Sequence, residues 1–587
     1  MGWTKEIKDE LHKDRLLFWV SVLTAAFFSC ALVFGEALQT EGELPIRHMD
    51  AWIAVVLTGL VIWIGLVLFL YVMKTGVLKS DVSLHSGEKV PAEERKENAA
   101  SRQVRKEGLL DRILRKPGIC FLSFILCWIP SFLAVYPGFF LYDACDEYWQ
   151  IDTGMYSTHH PLLHVLLLGV TVKAIHYLTG SFNYGIGVYL SAQMCVIAAC
   201  FTCLLVWMRY KGVSSRVRKI SFLYLAFFPI NVMFVLCTVK DTLFAAGLLM
   251  VLLLMRLLLF SGKQGEERNT FLSGKRGTAV LVAAFVAAFV VTLLFRNNML
   301  YATLVYGLFL LVLVWRKSKG KERMQHYKRV VIFFFSVFLF FFGISKGMAI
   351  GLHAMKGGAQ EMLTVPIQQI ARCYHADPGM YSAEEKELLF SYLPEEAIKR
   401  YTPNLSDPVK VSFDSDVYRN NAMGFWKLWA KGFLHNPIGY ANAWCMTSYG
   451  FWYPDAAIDV YQGHNVFTHN YEKSSYFGFE TELPGVRDSK FPLLEKMYYV
   501  ISLEGTVQRR PVLSWLFSMG FLTFVYVICF DVMAVRRQWN KLLVYLLPAL
   551  VWMTFLLGPT FLPRYMVFQW FLLPMVMADT FCVEDRS

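Results

Sequence analysis

Twelve long apolar runs dominate this 587-residue chain, at about residues 16–38, 51–73, 117–136, 183–208, 219–239, 242–261, 278–295, 299–315, 330–350, 512–535, 541–562 and 565–582. A stretch of about 20 mostly apolar residues spans the hydrocarbon core of a bilayer, so these runs predict a polytopic membrane protein. The charged residues, only 17% of the chain against 56% hydrophobic ones, gather in the loops between the runs. The run at 16–38 lacks a small-residue cleavage pattern and exceeds a signal-peptide core in length, so it reads as an uncleaved first span.

The loops alternate in basic content. Eleven Lys and Arg lie in 74–116, five in 209–219, four in 261–277, seven in 316–329 and three in 536–541. The short loops between them hold about one each, namely Arg47, Lys240, Arg296 and Arg564. Basic loops stay on the cytoplasmic side, which puts both termini inside and accounts for the net charge of +12 without a nucleic-acid partner. Residues 161–180 are apolar enough to span, yet a crossing there would invert every later loop. The alternation therefore predicts an interfacial helix on the outer surface, with Pro161 in its first turn.

The expected organisation is two N-terminal spans (1–74), a basic cytosolic linker (75–116), a membrane core (117–350), a mainly helical extracytoplasmic domain (351–511) and three C-terminal spans (512–587). Helices are expected in the domain at 384–400 and 416–435. The twelve cysteines are scattered, with neither the number nor the spacing of a disulfide framework or zinc site. No Walker-type phosphate loop occurs in the cytosolic segments, and these are too short for a nucleotide-sugar domain.

The spans carry few ionisable residues near their centres, which disfavours a transporter. Polar chemistry gathers instead at the outer span ends. Tyr136-Pro-Gly-Phe-Phe-Leu-Tyr-Asp143-Ala-Cys-Asp146-Glu147 follows the third span and leads to His159-His160-Pro161. Lys240-Asp241, Arg296-Asn297-Asn298 and Arg564-Tyr565 lie at the same level. Moving a sugar off a lipid phosphate needs a base for the acceptor hydroxyl and positive charge for the departing phosphate, with or without a divalent metal ion. Each residue also has a plainer role. The acids suit a solvated loop, His159 and His160 suit a helix cap rather than metal ligation, and Lys240, Arg296 and Arg564 suit interfacial anchors. Val365–Arg372 and Gly463–Asn470, with His464 and His469, read first as domain packing and loop hydrogen bonding.

At these residues the chain resembles the GT-C superfamily of membrane glycosyltransferases, which use polyprenyl-phosphate-linked sugars. The Tyr136–Gln150 stretch is similar to that family's acidic outer loop, and His159-His160-Pro161-Leu162 to the segment opening its juxtamembrane helix. The resemblance implies Asp143 as general base, with Asp146 or Glu147 as alternative. Lys240, Asp241, Arg296, Arg564 and Tyr565, with His159 and His160, would then form the substrate-binding set. Asp143-Ala-Cys-Asp146 departs from an Asp-x-Asp pattern, which leaves metal dependence open. The implied activity is inverting transfer from a polyprenyl-phosphate sugar to an envelope glycan, lipid or protein acceptor. It would occur in the plasma (cytoplasmic) membrane with the site facing outward; a flippase of a lipid-linked precursor is the alternative.

Overall fold

The computed structural model describes residues 11, 13–75, 108–260, 275–457, 479, 481–502 and 510–582. It is all-α, and the described residues contain no strand beyond three isolated bridges. Every one of the twelve apolar runs forms helix. Nine helices among the described residues are long and apolar enough to cross a membrane, or ten if one bent pair counts as a span. The N-terminal spans Arg15–Glu41 and Met49–Thr75 pack on each other and on Met519–Val535, where Thr24 Oγ1 donates to Asp531 Oδ2 at 2.7 Å.

Three expectations about spans need refinement. The run at 219–239 is two helices, Ser215–Phe227 and Pro229–Val235, bent by 54°. Phe228 is extended (ψ 122°) and Pro229 takes the first helical position, where its missing N–H costs nothing. The last three runs give helices of only 17, 17 and 15 residues, Met519–Val535, Trp539–Phe555 and Val567–Phe581. The run at 541–562 ends its helix early because Gly558 and Pro559 follow. Finally, Leu162–Thr179 is one continuous helix that qualifies as a span by length and composition. Both its ends nevertheless bond to the 351–511 segment. Thr158 N donates to Met355 O at 2.9 Å before it, and Asn183 Nδ2 donates to Val486 O at 2.7 Å after it.

Described residues of the basic stretches 74–116, 209–219 and 536–541 lie at the end of the bundle away from those contacts. Residues 109–115 of the linker are helical (Leu109–Arg115), and Asp111 pairs with Lys219 at 2.6 Å. Arg209 Nη1 donates to Arg115 O at 2.7 Å, and Arg536 Nε to Met73 O at 2.8 Å. Within the spans of that half, Arg256 pairs with Asp579 at 2.7 Å, both fully buried, and Tyr545 donates to the other Asp579 oxygen.

The 351–457 segment has its own core, including Ile367, Tyr392, Phe425 and Tyr440. The helix expected at 384–400 breaks at Pro394 into Ala383–Tyr392 and Glu395–Ile398. The one at 416–435 breaks at Asn421, whose side chain caps Ala422–His435 by accepting from Gly424 N. Arg372 donates to Gly42 O and Asn442 accepts from Leu44 N, which fixes this unit over the first span loop.

Candidate active site

A short extended stretch brings the site together. Gly138 has φ +126°, a left-handed conformation that side chains disfavour, and a Cβ there would lie 3.0 Å from Leu236 O and inside the Leu190 side chain. Its absence lets Phe139 pair with the turn before Lys240: Phe139 N donates to Leu236 O and Thr238 N to Phe139 O, each at 3.0 Å. From the other side Thr481 Oγ1 donates to Gly138 O at 2.8 Å and Glu482 N to Phe140 O at 2.7 Å. The acidic helix Tyr142–Thr153 therefore starts beside Lys240, the first residue of Lys240–Phe260.

There Lys240 Nζ lies 2.8 Å from Asp143 Oδ2 and 3.0 Å from His160 Nδ1. Arg564 Nη1, from the loop before the last helix, reaches the same Asp143 oxygen at 3.0 Å. Burial alone would raise the Asp143 pKa, but Arg564, Lys240 and His160 together hold the carboxyl well below its usual range. His160 Nε2 stands 3.5 Å from Asp146 Oδ2, and its hydrogen bond lowers the Asp146 pKa. Asp146 is the one acid of the three that faces out, with its side chain 72% exposed.

A second pair lies alongside. Asp241 contacts Arg296, whose guanidinium sits 4.4 Å from the Phe555 ring and 4.9 Å from the Tyr565 ring. Arg564 lies 5.2 Å from the rings of both Tyr142 and Tyr565, so both arginines border the Tyr565 ring. Burial pulls the Arg296 pKa down to about 10, and its Nε has no hydrogen-bond partner among the described residues. Lys240, Arg296 and Arg564 thus face Asp143 and Asp241 in a largely buried cluster, with Asp146 and Glu147 on the far side of His160.

Glu147 is fully buried, with one carboxylate oxygen 3.7 Å from His160 Nδ1. It contacts His164 Nδ1, and His164 Nε2 lies 2.8 Å from Tyr189 OH. Tyr189 in turn donates to Gln193 Oε1 at 3.3 Å, and Gln193 Nε2 donates to Val235 O and Cys237 O. This buried chain joins the acidic helix to the turn that presents Lys240. The polar pair Tyr189 and Gln193, four residues apart in an apolar helix, is the sequence signal that points to it.

Asp143, Asp146, Glu147, His160, Lys240, Asp241, Arg296, Arg564 and Tyr565 therefore form one neighbourhood. His159 sits at its edge, its ring centroid 4.6 Å from that of His160. Its Nδ1 points to Glu361, 4.0 Å away, which Lys410 holds at 2.7 Å. Arg372 and Gln368 spend their donors on Tyr401, Gly42 and Thr402, in the packing role expected of Val365–Arg372. Gly463–Asn470, with His464 and His469, lies outside the described residues. Among the described residues no three His, Cys, Asp or Glu side chains are grouped to hold a metal ion. Asp143 and Asp241 face lysine and arginine, whereas Asp146 and Glu147 face His160 and His164.

Searches of curated proteins and of solved structures find no match to this chain. One family model covers residues 148–587, which include His159, His160, Lys240, Asp241, Arg296, Arg564 and Tyr565 and begin just past Glu147. On that match the chain is a membrane protein belonging to the DUF6020 family, a family of unknown function.

Proposed function

We propose that this protein is an integral membrane glycosyltransferase that moves a sugar from a polyprenyl-phosphate donor to an acceptor outside the cytoplasm. The observation that carries the reading is the single Asp143 oxygen shared by Lys240 and Arg564, with Arg296 adjacent. These residues come from well-separated segments of the chain and meet at the end of the bundle away from the basic loops. By the rule that basic loops stay in the cytoplasm, that end faces outward.

A donor phosphodiester entering the pocket competes with Asp143 for Lys240 and Arg564. As the cations turn to phosphate, the Asp143 carboxylate loses the charges that depress its pKa and becomes a stronger base. It takes the proton of the acceptor hydroxyl while that oxygen attacks the anomeric carbon. The bond from that carbon to the phosphate oxygen breaks, and the polyprenyl phosphate leaves with a second negative charge stabilised by Lys240, Arg564 and Arg296. One displacement inverts the anomeric configuration. Glu147 and His164 act on this pocket by position, through the acidic helix. The similarity to GT-C enzymes at the acidic loop and at Leu162–Thr179 supports the same class.

Polyprenyl phosphate itself, without any sugar, is the test ligand. The purified wild type should bind it, and Lys240→Met and Arg564→Met should each weaken binding at least about tenfold, the scale of one lost charged hydrogen bond. Equal affinity in all three proteins would refute the reading. Movement of a lipid-linked precursor across liposomes without covalent product would favour a flippase.

A further inference from the structure

The segment after the extracytoplasmic helices bonds inward through backbone amides, Arg487 and Tyr498, while several large apolar side chains face outward beside the half-exposed Asp488–Lys490 ion pair. Asp488 N donates to Tyr136 O at 2.8 Å, Lys490 N to Leu133 O at 2.9 Å, and Tyr498 OH to Ser131 Oγ at 2.8 Å. All three partners lie at the last turn of the span Pro117–Ala134 or just past it. Val486 exchanges two hydrogen bonds with Asn183, in the first turn of the span Phe182–Tyr210. Two span ends thus fix the segment at the water–lipid boundary. The Arg487 guanidinium is turned in as well, onto Phe479 O, Thr481 Oγ1 and Glu495.

Outward at this level stand Leu483, Val486 and Leu493, 67%, 60% and 87% exposed. Across the Asn183–Val486 contact the end of Leu162–Thr179 and the start of Phe182–Tyr210 add Tyr177, Leu178 and Tyr184, 88%, 74% and 58% exposed. Large apolar side chains displayed together in water are unfavourable, whereas aromatic and aliphatic groups beside span ends suit the headgroup and upper acyl region. We infer that residues 481–502, with the end of Leu162–Thr179, form a monotopic foot seated in the lipid headgroup region. The occupant of this surface is a phospholipid bilayer, because the patch is continuous with the lipid-facing ends of two spans.

The foot also sets the depth of the pocket. Its Thr481 and Glu482 hold Gly138 and Phe140, the stretch that leads to Asp143, so the acidic helix is pinned at headgroup level. This inference needs the spans but not the transferase chemistry.

The test uses the full chain in phosphatidylcholine vesicles containing a phosphatidylcholine with a diazirine near the top of one acyl chain. After illumination, peptide mass spectrometry locates the lipid adducts. Adducts are expected on 483–497 and 177–184, at yields matching the exposed face of the span Met49–Thr75. The charged helix Ala383–Tyr392 should stay unlabelled. Loss of labelling from 483–497 while Met49–Thr75 is labelled would overturn the inference. So would cross-links from 483–497 to another protein or a second copy in place of lipid.

Discussion

Arg564 Nη1 stands 3.0 Å from Asp143 Oδ2, the same oxygen that receives Lys240 Nζ at 2.8 Å. One buried carboxylate is therefore shared by two cations from distant parts of the chain, and each cation is held in place partly by the other's counter-charge. Removing Lys240 as Met leaves Asp143 buried with Arg564 as its one remaining full cation and should cost about 1–3 kcal/mol. Adding Asp143→Asn to that variant removes the under-compensated charge and should restore most of the loss. Thermal unfolding of the single and double variants in detergent checks this; a double variant less stable than Lys240→Met would contradict it.

The same pair fixes a pH dependence. The folded-state pKa of Asp143 lies below its unfolded value of about 3.9, because Arg564, Lys240 and His160 outweigh burial. Its stabilising contribution is therefore present above about pH 4 and is lost only as the pH falls through the depressed value. The stability difference between wild type and Asp143→Asn should be flat from about pH 5 to 8 and shrink below about pH 4. A difference that already fades between these neutral values would be inconsistent with the ion pairs.

Arg296 tests whether charge alone is enough in the second pair. Its planar guanidinium lies against Phe555 and Tyr565, a contact lysine reproduces poorly. Arg296→Lys should keep the pairing with Asp241 yet weaken polyprenyl phosphate binding by about 1 kcal/mol, or roughly fivefold. Titration of the purified variant measures it, and wild-type affinity would assign Arg296 to packing only.

The chain from Glu147 through His164 and Tyr189 to Gln193 sets the distance between the acidic helix and the Lys240 turn. Tyr189→Phe removes the central hydroxyl and little else. The transfer rate should fall about tenfold from misplacement, with polyprenyl phosphate affinity within about twofold. A matching loss of affinity and rate would mean that Tyr189 acts only on overall folding.

Apolar period and loop charge made the helical membrane core legible in the sequence, since all twelve runs became helices. The break at Phe228–Pro229 had a visible signal in Pro229, but a proline within an apolar run can also kink a continuous span. The site residues Asp143, Lys240, Arg296 and Arg564 were legible because charge is rare beside apolar runs, so each one stood out. Which of them meet was not legible, because pairing across hundreds of residues depends on how Gly138 and Phe139 dock against Cys237. His164, Tyr189 and Gln193 were harder still, since the i,i+4 polar pair marks a buried polar face without saying what it meets. The pairing of Arg256 with Asp579 within the spans was hidden for the same reason.

The most direct measurement is transfer of a radiolabelled sugar from a panel of polyprenyl-phosphate sugars to extracted envelope acceptors, by wild type and by Asp143→Asn. The wild type should give an inverted product. Asp143→Asn should lose about 10² to 10⁴ in rate, the range for a general base, with polyprenyl phosphate still bound. Transfer by Asp143→Asn at the wild-type rate would contradict that role.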